Sequence, residues 1–303
     1  MDIFSRAFTF NYTPMITTIE NEFIRVSINT KGAQLSSLYN KATKTEHMWQ
    51  ADEKIWPWHA PNLFPVVGGL INNELVVDGE KYAMNRHGFA RQSEFFLLES
   101  DENSASYSLP NCENTLKVYP FKFDFQILYH LIEGALRITY KVINLDKKPV
   151  YFSVGGHPAF NVPFNKGENY EDYYLEFETE EQLDAHALSK DGFFNGVTHP
   201  VPTPNKKLHL TRDLFNADAL VFKNLKSRML TIKSDKHEQT LALEFPHFNY
   251  LGIWAKPGAD FVCIEPWLGC ADTEGKQVDI KEKEAIQKLN VGHVFEAAYF
   301  VCI

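Results

Sequence analysis

Gln126–Ile143, QILYHLIEGALRITYKVI, sets two runs of alternating apolar and polar residues on either side of Glu133-Gly134. A period of two sends successive side chains to opposite faces, the mark of a half-buried strand, and the Glu-Gly pair supplies a turn. The stretch predicts two antiparallel neighbours. The same pattern spreads in both directions. Upstream lie TTIENEFIRVSINT (17–30) and AQLSSLY (33–39) around Lys31-Gly32, ELVVDGEKY (74–82) with an Asp78-Gly79 hairpin signal, EFFLLES (94–100) and SASYSL (104–109). Downstream come PVYFSVGG, DYYLEFETEEQLD, KKLHLT, DALVF, MLTIKS, TLALEF, YLGIWAK, DFVCIEPW and HVFEAAYFVCI. Only NADAL (216–220) and KEKEAIQKL (281–289) offer helical spacing, and both are short. Strands at fairly regular intervals without intervening helices predict an all-β chain, a large antiparallel sandwich or barrel.

A hydrophobic fraction of 44% over 303 residues is ample for a packed core. No Pro/Ser linker or composition break divides the chain, so one domain is expected over residues 15–303. The preceding 14 residues read as an N-terminal extension whose role the residues do not assign, lacking the features of a secretory signal. A net charge of −9 argues against nucleic acid or an anionic membrane as partner, both of which call for a clustered basic face. Four cysteines without a CxxC pair read as reduced core thiols of a cytoplasmic protein, with no disulfide framework and no structural zinc.

Three stretches carry chemistry. In SVGGHPAFNVPF (153–164), His157 follows an apolar run and two glycines and precedes a proline that breaks regular structure, as when a strand hands a side chain into a cleft. The plainer alternative is a hydrogen-bonding turn histidine. In NRHGFAR (85–91), His87 stands between Arg86 and Arg91, a cationic neighbourhood suited to an oxygen-rich ligand; equally, the arginines could pair with surface acids while His87 caps a turn. In CIEPWLGCAD (263–272), Glu265 leaves an apolar strand beside Trp267. A carboxylate there is costly without a partner, and burial raises its pKa toward general-base range; a structural glutamate satisfied by backbone amides is the alternative. Trp49, Trp56 and Trp58 near His59 read as an aromatic cleft wall or as a packed surface cap. Two histidines and a glutamate also fit a facial metal triad, but no HxH, HxD or HExxH spacing supports one, and no GxSxG elbow, Walker or dinucleotide pattern occurs.

GGHPAFN, HGFAR and the long WAKPGADFVCIEPWLGCAD (254–272) resemble the aldose 1-epimerase (galactose mutarotase) superfamily, in particular its LacX-like branch, from about Ile16 to near the C-terminus. The resemblance implies a galactose mutarotase-like β-supersandwich and a cofactor-independent isomerase that interconverts the α and β anomers of a free or modified aldose. It implies Glu265 as general base, His157 as general acid facing it across the sugar, and His87 and Asp218 as sugar ligands, with a capping role for Asp218 as the alternative. The family commonly carries an arginine where VVGGLINNEL (66–75) has Gly69; Arg91 or Arg86 then stands in, with Asn72 or Asn73 as neutral donors. Two other readings remain open. One is a hexose 6-phosphate epimerase, with Arg86, Arg91 and Lys256 for the dianion; the other is a noncatalytic carbohydrate-binding or sensing protein. The expected partner is a small-molecule sugar; the sequence does not fix the oligomeric state.

Overall fold

The Gln126–Ile143 hairpin lies near the middle of a nine-stranded antiparallel sheet. In the computed structural model, which describes residues 15–303, Phe123–Ile132 pairs with Ala135–Asn144 in an unbroken register from Phe123↔Asn144 to Ile132↔Ala135. Phe123, Phe125, Ile127, Tyr129 and Leu131 are all buried while most residues between them are partly exposed, so the alternation read in the sequence is an inside–outside alternation. Val294–Cys302 pairs along the other edge of Ala135–Asn144, and Ser104–Pro110 along the other edge of Phe123–Ile132. The Asp78-Gly79 hairpin also forms, with both turn residues at positive φ, 52° and 84°. The expected extension over residues 1–14 lies outside the described residues.

A second, six-stranded antiparallel sheet includes Asn62–Leu63, Val154–Gly156, Phe261–Leu268, Tyr250–Trp254 and Leu220–Phe222 in that lateral order, with Ala159–Asn161 pairing on Phe261–Leu268 as well. Ile16–Glu20, Ile24–Asn29, Gln34–Asn40 and Thr45–Glu46 form a four-stranded sheet. The two larger sheets meet through aromatic packing, Phe64 stacking on Phe125 with centroids 4.3 Å apart. A buried polar seam crosses the same interface. The Tyr140 hydroxyl donates to Asn62 Oδ1 at 2.7 Å, Asn62 Nδ2 donates to the carbonyls of Gly32 and Ala33, and the Tyr129 hydroxyl also reaches the Ala33 carbonyl at 2.6 Å. The architecture is an all-β fold of large antiparallel sheets.

Both helical expectations fail. Residues 216–220 form a turn that runs into the Leu220–Phe222 strand, and 281–289 splits into a 3-10 turn, Ile280–Glu282, and a short strand, Gln287–Leu289. Neither segment has the length to fix a helix against the cost of nucleation. The four cysteines are free, as expected, but Cys112 is exposed rather than in the core.

Candidate functional site

The Phe261–Leu268 strand forms the floor of a cleft and is buried along its whole length. Alternation puts Cys263, Glu265 and Trp267 on one side and Val262, Ile264 and Leu268 on the other, against the core. Glycines on both neighbouring strands make room for Trp267. A Cβ on Gly155, its register partner, would come within 2.6 Å of the indole, and one on Gly252 equally close. Gly156 performs a similar service for Tyr140 and Tyr299, whose hydroxyls would lie 3.1 and 3.0 Å from a Cβ there. The glycines before His157 therefore sit inside a strand and clear space for aromatic rings, in keeping with a strand that hands His157 onward and not with the plainer alternative of a turn.

His157 leaves that strand just before Pro158 and lands beside the floor carboxylate, Nε2 to Oε2 3.2 Å. The two side chains are side by side on one wall rather than opposed across the cleft. Glu265 is 2% exposed and His157 9%. The contact is close without hydrogen-bond alignment, and Glu265 Oε2 and His157 Nδ1 are buried with no hydrogen-bond partner among the described residues. Trp56 stacks on the His157 ring at 5.1 Å, and Trp254 and His87 meet it edge-on at 5.9 and 5.6 Å. Burial holds the His157 imidazole down to about 3, with the Arg91 charge acting the same way. Burial also pushes the Glu265 carboxyl well above the carboxylate range, the Asp218 carboxylate adding to the rise and the Trp267 indole opposing it. The two shifts run in opposite directions, each favouring the uncharged form of its own group.

His87 is held at φ 67° in a tight loop: a Cβ on the following Gly88 would come within 2.2 Å of the Phe64 carbonyl oxygen. Its backbone N–H donates to the Gly68 carbonyl, and its Nδ1 accepts from the Gly68 N–H at 3.1 Å. Since Nδ1 accepts, a neutral ring carries its proton on Nε2 and can donate it elsewhere. Burial first, then the charges of His157, Arg91 and Arg86, keep that ring neutral.

The cleft measures about 730 Å³, within the usual range for a small-molecule site. His87, His157, Glu265, Asp218 and Arg91 all line it, together with Arg86, Lys190, Trp56, Trp254 and Trp267. Asp218 stands at φ 88° and its Oδ1 accepts from the Ala219 N–H at 2.8 Å, so it combines a local turn with a place in the cleft wall. Two expected residues are elsewhere. Asn72 sits exposed in the Ile71–Asn73 turn and does not line the cleft, because the chain turns outward after Leu70. Lys256 donates to the Ile55 carbonyl outside the cleft, at 2.9 Å. At Gly69 a Cβ would approach the edge of the Phe193 ring at 3.1 Å, so a side chain there requires that ring to shift. Arg86 reaches that region instead, its Nη2 donating to the Asp191 carbonyl at 2.7 Å.

Arg91 lies under Trp58 at 5.2 Å and donates to the Arg86 carbonyl, while its buried Nε has no partner among the described residues. No carboxylate lies within ion-pair distance of Arg86 or Arg91 among the described residues. The sequence also gave no place in the site to Cys263. Its thiol joins one nitrogen of His157 and one oxygen of Glu265, all within 4.8 Å of one another. Two-residue spacing from Glu265 on one strand was the available signal. The triad of two histidines and a glutamate does not assemble as a ligand set; Cys263, not His87, joins His157 and Glu265. No helix of the described residues is long and apolar enough to cross a membrane.

Comparison with known proteins agrees with this architecture. The LacX protein of Lactococcus lactis subsp. lactis, in its plasmid form, is 34% identical over 288 residues, covering 91% of this chain and 95% of its own. A galactose mutarotase related enzyme from Lactobacillus acidophilus superposes with a TM-score of 0.91 at 34% identity, over 95% of this chain and 97% of that one. A galactose mutarotase-like protein from Lactobacillus casei does so with a TM-score of 0.89 at 31% identity, over 95% and 99%. A sequence model of the Aldose 1-epimerase family matches residues 15–276, and the chain belongs to that family.

Proposed function

We propose that the protein is a mutarotase that interconverts the anomers of an aldose by opening and reclosing the ring at the His157–Glu265 pair. The observation that carries the reading is the 3.2 Å contact between two buried, unsatisfied side chains in an aromatic-walled cleft. The anomeric hydroxyl and the ring oxygen are bonded to the same carbon. An acid and a base serving them must therefore stand next to each other, as these two do.

In the opening step Glu265 as carboxylate takes the proton of the anomeric hydroxyl, the carbonyl forms at C1, the C1 to ring-oxygen bond breaks, and His157 as imidazolium protonates the ring oxygen. This leaves a neutral carboxyl and a neutral imidazole. Rotation about C1–C2 and closure on the other face returns both protons. The pair needs only the one proton it shares, and burial favours the form reached after opening. A sugar's hydroxyls offer hydrogen bonds that stabilise the ionic form. His87 donates from Nε2 to a sugar oxygen, Asp218 accepts from sugar hydroxyls, and the tryptophans pack on the apolar faces of the ring.

The test is polarimetric or NMR exchange of freshly dissolved α-anomers, with wild type and Glu265→Gln side by side. Wild type accelerates equilibration, and the variant is at least about a hundredfold slower, the usual worth of a proton-transfer group. Equal rates would remove Glu265 from the mechanism. No acceleration of any sugar, with sugar still bound, would favour the noncatalytic binding protein. The scheme uses no metal, so EDTA does not lower the rate; loss restored by a divalent ion would sink it.

A second reading concerns the sugar. Arg86 and Arg91 line one wall without carboxylate partners, in a protein of net charge −9. Two unneutralised guanidinium groups suit an anionic substituent, as in a hexose 6-phosphate. Including aldose 6-phosphates in the exchange panel separates the two: preference for the phosphorylated sugar, reduced in Arg91→Met, supports this reading, and indifference to the phosphate removes it.

A further inference from the structure

The His157–Glu265 wall has a third member that the proposed reaction does not use. Cys263 lies two residues before Glu265 on the same face of the floor strand, and its Sγ, a His157 ring nitrogen and a Glu265 oxygen fall within 4.8 Å of one another. Nitrogen, sulfur and oxygen donors together make a set that zinc and its congeners prefer over magnesium or calcium. The spacing fits as well. Zinc bonds of about 2.0–2.3 Å put two tetrahedral ligands roughly 3.3–3.8 Å apart. His157 Nε2 and Glu265 Oε2 stand at 3.2 Å and the thiol lies within 4.8 Å of a donor atom on each, so closing the set takes a movement on the order of 1 Å. Glu265 Oε2, buried and without a hydrogen-bond partner, offers a lone pair nothing else occupies. His157 and Glu265 line the cleft whereas Cys263 is fully buried, so water reaches the fourth position from the cleft side.

We propose that His157, Cys263 and Glu265 form a binding site for a thiophilic divalent cation such as Zn²⁺, and that its occupation switches the enzyme off. Binding expels the thiol proton and the proton shared by the pair, and ties up the oxygen and nitrogen that would otherwise handle the sugar's protons. Metal and sugar are therefore mutually exclusive. The inhibitory consequence rests on the mutarotase reading; the binding does not.

The experiment is titration of EDTA-treated, dialysed protein with Co²⁺, following the near-ultraviolet thiolate-to-cobalt charge-transfer band, in wild type and Cys263→Ala. One equivalent of Co²⁺ should raise the band in wild type, with the band lost in the variant. A wild-type protein without the band overturns the site, and so does a band of undiminished strength in Cys263→Ala. His157→Gln, which opens no void in the core, gives a second comparison: metal affinity at least tenfold weaker is expected, and unchanged affinity overturns the assignment. In the anomer-exchange assay, Zn²⁺ should inhibit wild type competitively with sugar, at a concentration at least tenfold lower than for Cys263→Ala, each measured against its own metal-free rate. Full turnover at saturating Zn²⁺ overturns the switch. A protein inactive on every sugar that still gives the cobalt band separates failure of the reaction from failure of the site.

Discussion

At the scale of single residues, His87 offers the cleanest test of how the cleft binds. Its Nδ1 is committed to the Gly68 N–H, so its remaining ring proton is the group offered to a ligand. His87→Phe keeps a ring of similar size and removes both functions. We expect the sugar KM to rise about 5- to 30-fold, the worth of roughly 1–2 kcal/mol for a hydrogen bond, with kcat within a few-fold of wild type. A fall in kcat of the size expected for Glu265→Gln would place His87 in proton transfer instead. His87, His157 and Glu265 stood out in the sequence, because a histidine beside glycine or proline and a carboxylate at the end of an apolar run are costly features without a purpose, whereas Asp218 was reached only through the family resemblance. What the residues could not display was their mutual placement. His157 and Glu265 are 108 positions apart, and only the pairing of Val154–Gly156 and Ala159–Asn161 onto Phe261–Leu268 brings them side by side. Asn72 was misplaced for the converse reason: proximity in sequence to a cleft glycine does not survive the turn that follows it.

At the scale of elements, the floor of the cleft is a matter of strand spacing. Trp267 lies across Gly155 and Gly252, and a side chain at either position collides with an indole that has the backbone beneath it. Gly252→Val should cost about 1–3 kcal/mol as overpacking and reduce turnover, since Gly252 is also the register partner of Glu265. Thermal unfolding and anomer exchange read the two effects; a variant unchanged in both would mean that the floor accommodates the branch. The hairpins at Asp78-Gly79 and Glu133-Gly134 could be read because turn chemistry is local. The apparent helices at 216–220 and 281–289 could not be dismissed from sequence, since a few residues satisfy helical and extended spacing alike.

At the scale of the whole molecule, Asn62 joins the sheets by accepting from Tyr140 and donating to the Gly32 and Ala33 carbonyls in the core. Asn62→Leu removes this buried partner from the Tyr140 hydroxyl and the Gly32 carbonyl, while the Ala33 carbonyl keeps the Tyr129 hydroxyl, and the expected loss is about 2–5 kcal/mol in denaturant unfolding. A loss below about 1 kcal/mol would make the seam incidental. Stability also depends on pH through His47, which is buried and held neutral, its pKa pushed down to about 4. The unfolded chain binds a proton there near pH 6.5 and the folded chain does not. This residue therefore costs nothing above that pH, and its penalty grows as pH falls toward 4, reaching about 3 kcal/mol. His47→Leu should flatten the fall in melting temperature between pH 7 and 4.5, and an unaltered slope would show that His47 is protonated without cost.

One wall of the cleft is built differently from the others. Leu183–Leu188 and Phe194–Val201 pair with each other as a separate two-stranded ribbon, and the loop between them brings Ser189, Lys190 and Gly192 to the cavity. Phe194 ties the ribbon to the body through its N–H to the Asp272 carbonyl and its carbonyl to the Glu274 N–H. The His157 and Glu265 side chains come from the sheet that floors the cleft, whereas this part of the rim comes from one contiguous length of chain. Leu183, Ala185 and Phe194 are buried and bind the ribbon to the core, so changes confined to the loop at 189–192 reshape the mouth of the cleft while the floor strand keeps its register.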